Sequence, residues 1–315
     1  MKRKSNLYEN IYKMENIQAA FNEVCKNTKN KRKVANYKQY KCIYISRIYN
    51  ILKNKIYKVG PYNIFTIYEP KERRIVSQSI HDKIVNHLVS RYILYPALMP
   101  CLIFENVASI KDRGTKEGLR LARLYHQKCK IKYKTYYILK CDISKFFASI
   151  DKEILKTKLK KKIKDKDALD IVYKIIDSEE HGLGIGNMTS QVLAVFYLND
   201  LDHYIKEDLK IKYYVRYQDD FLLFHKSKDY LKKCFFLIQK FLEKEHLILN
   251  RKSKLYKSTN HFIFLGRNNK GKYAKYRTVK RKLKYKKYLY ETEKISFSSY
   301  LSSHMSYKNF RKKNA

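Results

Sequence analysis

The sequence is short of acidic residues. Its 315 residues contain 29 Asp and Glu against 70 Lys and Arg, which gives a formal net charge of +41. A small-molecule enzyme does not need such a charge, which opposes the compact state by self-repulsion. A polyanionic partner relieves that repulsion. Nucleic acid is therefore the leading partner class, with binding that falls steeply with salt, and an anionic membrane surface is the alternative.

Glycine, proline and paired cysteines are also scarce. With 8 Gly and 4 Pro the sequence has no flexible linker, which predicts one large domain or two to three closely packed ones. The 6 cysteines form no C-x-x-C pair, which indicates a reduced, intracellular protein without a structural zinc site. We expect no signal peptide and no membrane-spanning run, and hence a cytoplasmic protein without a membrane partner.

The most informative segment is residues 213–224, where two short apolar runs flank Gln218, Asp219 and Asp220. Strand-forming runs on both sides of so short a turn predict a β-hairpin with two adjacent carboxylates at its tip. Adjacent carboxylates repel each other unless a cation lies between them, and Mg²⁺ favours such oxygen ligands. An ordinary Asp-Asp turn is the alternative interpretation, because Asp tolerates turn geometry.

A further acid, Asp142, ends the apolar segment 136–143, which predicts a buried strand. Asp142 is either the N-cap of the helix that follows or a third carboxylate brought beside Asp219 by neighbouring antiparallel strands. The segment 182–191 contains three glycines and precedes an apolar helix. Such a segment allows a ligand to approach the backbone closely, although a plain helix cap is the alternative.

Two basic clusters contain residue types that suit phosphates. Lys71, Arg73 and Arg74 lie at the bend of a predicted hairpin, and Lys111 and Arg113 precede a predicted helix. Guanidinium groups match the oxygens of a triphosphate in geometry and charge. Each cluster is equally well explained as ordinary protein surface.

Taken in order, these segments resemble the reverse transcriptase family over about residues 50–310. Asp142-Ile-Ser-Lys-Phe-Phe147 resembles the first catalytic motif of the family, and Tyr217-Gln-Asp-Asp220 resembles the second, in its YxDD form. Asn250-Arg-Lys-Ser253 is similar to the lysine-bearing motif that follows. Phe264-Leu-Gly266 is similar to the primer-grip hairpin, with Leu265 and Gly266 as the grip residues.

The resemblance implies an α+β, right-hand polymerase fold. Its parts are fingers, a palm of antiparallel sheet with helices on one face, and a short helical thumb. The implied boundaries are a basic helical N-terminal extension at residues 1–60, fingers at 61–135, a palm at 136–266 with residues 152–186 contributing to the fingers, and a helical thumb at 267–315.

The resemblance also implies an RNA-directed DNA polymerase that works by two-metal phosphoryl transfer. Asp142, Asp219 and Asp220, with the carbonyl of Ile143, would then hold two Mg²⁺ ions, which Mn²⁺ can replace. Lys252 would donate a proton to the departing pyrophosphate.

Other family positions concern the incoming nucleotide. Phe147 stands at the ribose gate, where its ring would clash with a 2′-hydroxyl and so favour dNTPs. The candidates for contacts with the phosphates are Lys71, Arg73, Arg74, Lys111 and Arg113.

The glycine segment departs from the usual family pattern. Ile185-Gly186 and Ser190-Gln191 stand where most reverse transcriptases have Gln-Gly and Ser-Pro. This departure is similar to the reverse transcriptases of diversity-generating retroelements, which mutagenise their copies at adenines. Ile185 would replace an amide that contacts the nascent pair, so pairing there would be looser.

That subtype implies a set of partners and a source. The partners are template RNA, cDNA or an RNA–DNA hybrid, dNTPs and a small, basic, oligomeric accessory protein, in a bacterial, phage or archaeal cell. Retron-type and phage-defence reverse transcriptases are alternatives. A catalytically silent RNA-binding scaffold is a hypothesis from another class, and the presence of all three motif acids argues against it.

Overall fold

The computed structural model describes residues 3–68, 72–260, 262–268 and 276–314, apart from the side chains of 268, 276–280 and 306–314. The chain divides into two compact units. The first consists of Met1–Ile64 and Ile75–Ser258, and the second of Phe65–Arg74 and Thr259–Ala315. The predicted boundaries of extension, fingers, palm and thumb stay predictions.

Helices predominate in the described part of the chain. They are α1 (Met14–Asn27), α2 (Lys31–Gln39), α3 (Lys41–Lys53), α4 (Ile80–Val89), α5 (Tyr95–Leu98), α6 (Thr115–Lys132), α7 (Phe146–Ser149), α8 (Lys152–Lys160), α9 (Lys166–Asp177), α10 (Met188–Tyr197), α11 (Asn199–His203), α12 (Lys228–Lys244), α13 (Tyr276–Glu291) and α14 (Phe297–Asn314). Within this part of the chain, no helix is long and apolar enough to cross a bilayer.

The described strands form three sheets, of which the largest has four antiparallel strands in the order β4-β5-β3-β6. Two smaller sheets pair β1 with β2 and β7 with β8. The strands are β1 (Asn63–Ile67), β2 (Arg73–Ser77), β3 (Tyr137–Asp142), β4 (Tyr213–Tyr217), β5 (Asp220–His225), β6 (Lys254–Lys257), β7 (Ile263–Phe264) and β8 (Arg267–Asn268).

Helix α12 shows how the sequence pattern produces the packing. Leu231, Cys234, Ile238 and Leu242 recur every three or four residues, so they share one face of the helix. All four are buried in the main core. The Ser227 side chain accepts the backbone N–H of Tyr230 at 3.1 Å and so caps the first turn.

The four-stranded sheet is covered by helices on both faces, whereas the sequence predicted helices on one face. Leu139 and Leu223 belong to the main core together with α12. On the other face, the ring of Tyr125 from α6 lies 5.4 Å from Tyr213 and 6.3 Å from Phe224. Residues 213–216 of β4 are buried at four successive positions, and a strand of this kind needs cover on both sides.

The N-terminal helices pack into the first unit. Asp165 caps α9 by accepting the Ala168 N–H, and its second carboxylate oxygen accepts the N–H groups of Leu7 and Tyr8 at 2.8 and 2.9 Å. Buried residues of α1 and α3 belong to the same core as those of α9. The segment before the predicted fingers is therefore part of the folded body of this unit.

Candidate active site

The predicted hairpin at residues 213–224 is present, and its two adjacent acids lie at the turn. Tyr217 pairs with Asp220, so Gln218 and Asp219 form the two-residue turn between β4 and β5. Gln218 has a φ of 55°, which a residue with a side chain adopts at some cost in energy.

Asp142 lies beside these acids, because β3 pairs with β5. Asp142 is the cross-strand partner of Asp220, so both side chains project from the same face of the sheet. The Ile143 N–H donates to the Asp219 carbonyl at 3.3 Å, which joins the end of β3 to the turn. α6 covers the end of this face at Tyr213. The three acids lie at the opposite end, where they are partly exposed.

The surroundings of Asp220 favour its protonated form. Burial raises the pKa of Asp220 to about 6, and the nearby Asp142 and Asp219 add to the shift, while Lys140 works against it. Lys140 Nζ lies 3.1 Å from each carboxylate oxygen of Asp220, with hydrogen-bond geometry to Oδ2. A cation near the three acids would favour their ionised forms.

The donor chemistry fits Mg²⁺, which takes oxygen ligands. Within the described residues, no three or more His, Cys, Asp or Glu side chains are placed to hold a metal ion by themselves. Mg²⁺ is commonly bound by one or two carboxylates together with substrate phosphates, rather than by a closed protein cage. Asp142 and the acids at the turn can supply such a partial ligand set.

The loop that contains Lys252 wraps around the end of β3. The Asp142 carbonyl accepts the Asn250 N–H at 2.7 Å, and the Asp142 N–H donates to Ser253 Oγ at 3.2 Å. Lys252 is exposed between these two contacts, and its own N–H donates to the Asn250 side chain. The structure therefore brings the predicted general acid into the loop next to Asp142.

The glycine segment is tied to the segment that follows Asp142. The Leu183 N–H donates to the Phe147 carbonyl at 2.8 Å, and the Val76 N–H donates to the Ile185 carbonyl at 3.4 Å. Phe147 and Ile185 are half-buried, while Gly186 and, on α10, Gln191 are exposed. Two of the predicted nucleotide-binding segments are therefore joined by a direct backbone bond.

The segment before α6 is tied to the hairpin turn. Gln218 Nε2 donates to Ser109 Oγ at 2.9 Å. Lys111 is exposed, whereas the Arg113 guanidinium donates to backbone carbonyls, including those of Phe104 and Asn106 at 3.1 and 3.0 Å. Arg113 therefore holds its own loop in shape, which leaves Lys111 as the more accessible cation.

Four of the predicted residues lie in the second unit. Arg73 and Arg74 are exposed on β2, in the second unit. Leu265 and Gly266 form the two-residue turn between β7 and β8, as the hairpin prediction requires. Lys71 lies outside the described residues.

The sequence interpretation missed Lys140, Arg216 and Asp202. Lys140 precedes Asp142 by two residues, so its position on the same face was readable from strand alternation. Arg216 is a charge inside an otherwise apolar strand, which is a visible signal for a buried pair. Its partner Asp202 comes from α11, and strand alternation gives no means to identify a partner on a helix.

Most of the chain matches a known protein family. Residues 24–269 match the family described as "Reverse transcriptase (RNA-dependent DNA polymerase)". No curated protein matches the chain.

Two solved structures similar to the chain are telomerases from Candida species. Apo telomerase from Candida tropicalis, truncated from its C-terminal domain, has a TM-score of 0.51 and 16% identity, and the match covers 69% of this chain and 56% of that one. Telomerase from Candida albicans in complex with a TWJ fragment of telomeric RNA has a TM-score of 0.52 and 14% identity, with 76% and 52% covered. The chain therefore spans about half the length of these structures, and the likeness concerns the fold alone.

Proposed function

Because the chain belongs to the reverse transcriptase family, we propose that it is an RNA-directed DNA polymerase that copies a template RNA into cDNA. The observation that carries the proposal is the pairing of Asp142 with Asp220 across adjacent strands, with Asp219 at the turn between β4 and β5. Template RNA, the RNA–DNA hybrid and dNTPs are the partners that this activity requires.

In this proposal the three acids provide the oxygen ligands for two Mg²⁺ ions, with Mn²⁺ as a substitute. Ions bound there would activate the primer 3′-hydroxyl and offset the charge of the triphosphate and of the departing pyrophosphate. Asp142 would supply ligand oxygens from the end of β3 and Asp219 from the turn between β4 and β5, and the Ile143 carbonyl is a further proposed ligand. Lys252, exposed in its loop, would protonate the pyrophosphate.

The chain's other residues would position the nucleotide. The bond between the Leu183 N–H and the Phe147 carbonyl supports a shared pocket in which the Phe147 ring excludes a 2′-hydroxyl. Among the cations before α6, we assign the phosphate contact to Lys111, because Arg113 is engaged by carbonyls of its own loop. Arg73 and Arg74 are further candidates for phosphate contacts, and Leu265 and Gly266 for contacts with the primer.

The activity is tested by primer extension on a primed RNA template with Mg²⁺ and dNTPs. We expect incorporation by the native chain and none above background by Asp219→Ala, because the variant loses a carboxylate ligand. Asp229→Ala is the matched control. Asp229 is exposed on α12 and pairs only with Lys232 among the contacts described for it, so incorporation should be unchanged.

Two results would contradict the proposal. Full activity of Asp219→Ala would remove the metal assignment. Tight RNA binding without incorporation, with either Mg²⁺ or Mn²⁺ and with any primer, would favour an RNA-binding scaffold.

At a finer level, the proposed subtype is that of diversity-generating retroelements. Ile185, an apolar side chain in the segment bonded to β2, and Gln191 on α10 are the residues that support it. Sequencing of the same cDNA products tests the subtype, because substitutions concentrated at template adenines would support it. Errors spread evenly over the four template bases would favour the retron-type or phage-defence alternatives. A small, basic, oligomeric accessory protein belongs to this finer proposal.

A further inference from the structure

A fully buried charged pair joins the hairpin that contains Asp219 and Asp220 to a helix behind it. Arg216 of β4 and Asp202 of α11 both have side chains with 0% exposure. Arg216 Nε and Nη2 donate to the two carboxylate oxygens of Asp202 at 2.7 and 2.5 Å. Tyr214 Oη donates to Asp202 Oδ1 at 2.7 Å. Burial works to lower the pKa of Arg216, but Asp202 outweighs it and leaves that pKa raised, so the guanidinium keeps its charge.

The guanidinium also reaches the turn. Arg216 Nη1 donates to the Gln218 carbonyl at 2.9 Å, and Nη2 donates to the Val195 carbonyl of α10 at 3.1 Å. One planar group therefore joins the turn to two helices behind the sheet. Only arginine among the cationic side chains presents several donors in such a fixed fork.

The hydrogen bond from Arg216 goes to Gln218, whose backbone conformation is unfavourable by itself. Gln218 has a φ of 55°, and it directly precedes Asp219. A conformation of this kind persists when surrounding contacts hold it in place. Arg216 holds the Gln218 carbonyl, and Ser109 holds the Gln218 side chain at 2.9 Å.

A gain in stability is a weak explanation for the presence of this buried ion pair. Replacing a buried ion pair by apolar residues of similar volume often leaves a protein as stable as before. The directional bond to the Gln218 carbonyl is the property that an apolar replacement would lose.

We propose that Arg216 is a positioning residue for the polymerase reaction, acting through the Gln218 carbonyl to aim the carboxylates of Asp219 and Asp220. Asp202 orients the guanidinium and neutralises its charge. The inference rests on the proposed function, since it concerns the same carboxylates.

The test compares Arg216→Lys with Tyr214→Phe. Lysine keeps the charge opposite Asp202, but one ammonium group cannot reproduce the fork that reaches Asp202, Val195 and Gln218 together. Tyr214→Phe removes a bond to the same Asp202 carboxylate and leaves the bond to Gln218 in place. Both variants therefore perturb the buried pair, and only the first perturbs the turn.

We expect Arg216→Lys to lower kcat per folded molecule about tenfold to a hundredfold, because small misplacements of reacting groups have effects of that size. The Mg²⁺ concentration for half-maximal activity should rise several-fold, while the KM for dNTP changes little. Mn²⁺ binding, followed by the electron paramagnetic resonance signal of free Mn²⁺, should weaken several-fold. Tyr214→Phe should lower only the unfolding midpoint.

Unchanged kcat and unchanged Mn²⁺ binding in folded Arg216→Lys would overturn the proposal. If Arg216→Lys does not fold, the triple variant Arg216→Met, Asp202→Leu, Tyr214→Phe removes both buried charges and is compared with Tyr214→Phe by the same measurements. If the native chain proves inactive, the proposed function fails. Mn²⁺ binding then still decides whether Arg216 aims the carboxylates.

Discussion

At the residue scale, burial and the charges around Asp220 decide how readily its carboxyl is protonated when no cation is bound. Burial and the neighbouring Asp142 and Asp219 favour the protonated carboxyl, and Lys140 favours the ionised one. The net result is a pKa raised from 3.8 to about 6. Lys140 therefore only partly offsets the effects of burial and repulsion, and a divalent cation would favour the ionised carboxylate further.

This shift predicts a pH-dependent stability in the absence of divalent cations. The native state binds the Asp220 proton more tightly than the unfolded state, so this stabilisation is present at low pH and is lost as the pH rises through about 6. Asp220→Asn stays neutral at every pH. In EDTA, the free energy of unfolding of the variant relative to the native chain should rise by about 1 kcal/mol between about pH 5 and about pH 8.

Urea unfolding at each pH measures this difference. Asp229→Asn is the control, because Asp229 is largely exposed and should show no such pH-dependent difference. A difference for Asp220→Asn that shrinks as the pH rises would contradict the assigned direction of the shift.

At this scale, the three acids were predictable from the sequence, but the residues that surround them were not. Asp142, Asp219 and Asp220 occur in recognisable motifs, and strand pairing brought them together as expected. Arg216 and Asp202 lie 14 positions apart and meet only after β4 packs against α11. Contacts of this kind depend on tertiary packing, which a one-dimensional pattern does not specify.

At the scale of elements, the hairpins and the amphipathic helices were predictable because their signals are local. The predicted strand at residues 136–143 corresponds to β3, which ends at Asp142, and the helix predicted after Lys111 and Arg113 corresponds to α6. Helices on both faces of the sheet were not predicted. Alternation in a strand shows which residues are buried, but it does not show which element covers them.

The contact between the glycine segment and the segment after Asp142 gives an element-scale prediction. Gly182 has a φ of +54°, and a Cβ there would collide with the Phe147 carbonyl, the acceptor of the Leu183 N–H. Gly182→Ala should therefore destabilise the protein by about 2 to 3 kcal/mol, from backbone strain and the forced shift together. Urea unfolding measures the change, and primer extension should show reduced incorporation.

Gly266→Ala separates the cost of backbone strain from the cost of the forced shift. Gly266 has a φ of +76°, and among the described residues other than Gly266 and its two chain neighbours no atom lies within 4 Å of the place that an alanine methyl group would occupy. Replacing Gly266 by alanine should therefore destabilise the protein through backbone strain alone, by about 1 kcal/mol. Equal destabilisation by the two substitutions would show that the close approach to Phe147 has no energetic consequence.

At the scale of the whole molecule, several of the few acids are used inside the protein. Asp202 pairs with Arg216, and Asp165 accepts three backbone N–H groups. Asp82 accepts from the hydroxyl groups of Tyr57 and Ser79 at 2.9 and 2.7 Å. These acids are therefore engaged in internal contacts, and a chain with a formal net charge of +41 gains from a polyanionic partner.

This charge predicts a steep dependence of RNA binding on salt. Each neutralised phosphate releases condensed counterions, so the logarithm of the affinity falls linearly with the logarithm of the salt concentration. For a single-stranded RNA with about six phosphate contacts, the affinity should fall at least about a hundredfold between about 50 and about 200 mM KCl. Fluorescence anisotropy with labelled RNA measures the dissociation constants.

The composition of the RNA provides the control. Phosphate contacts do not read the bases, so homopolymer and mixed-sequence RNAs of equal length should give the same slope. Dissociation constants that barely change with salt would mean that the excess positive charge does not contact the backbone of the RNA. The charge would then need another explanation, and the proposed template-binding role would rest on the carboxylate site alone.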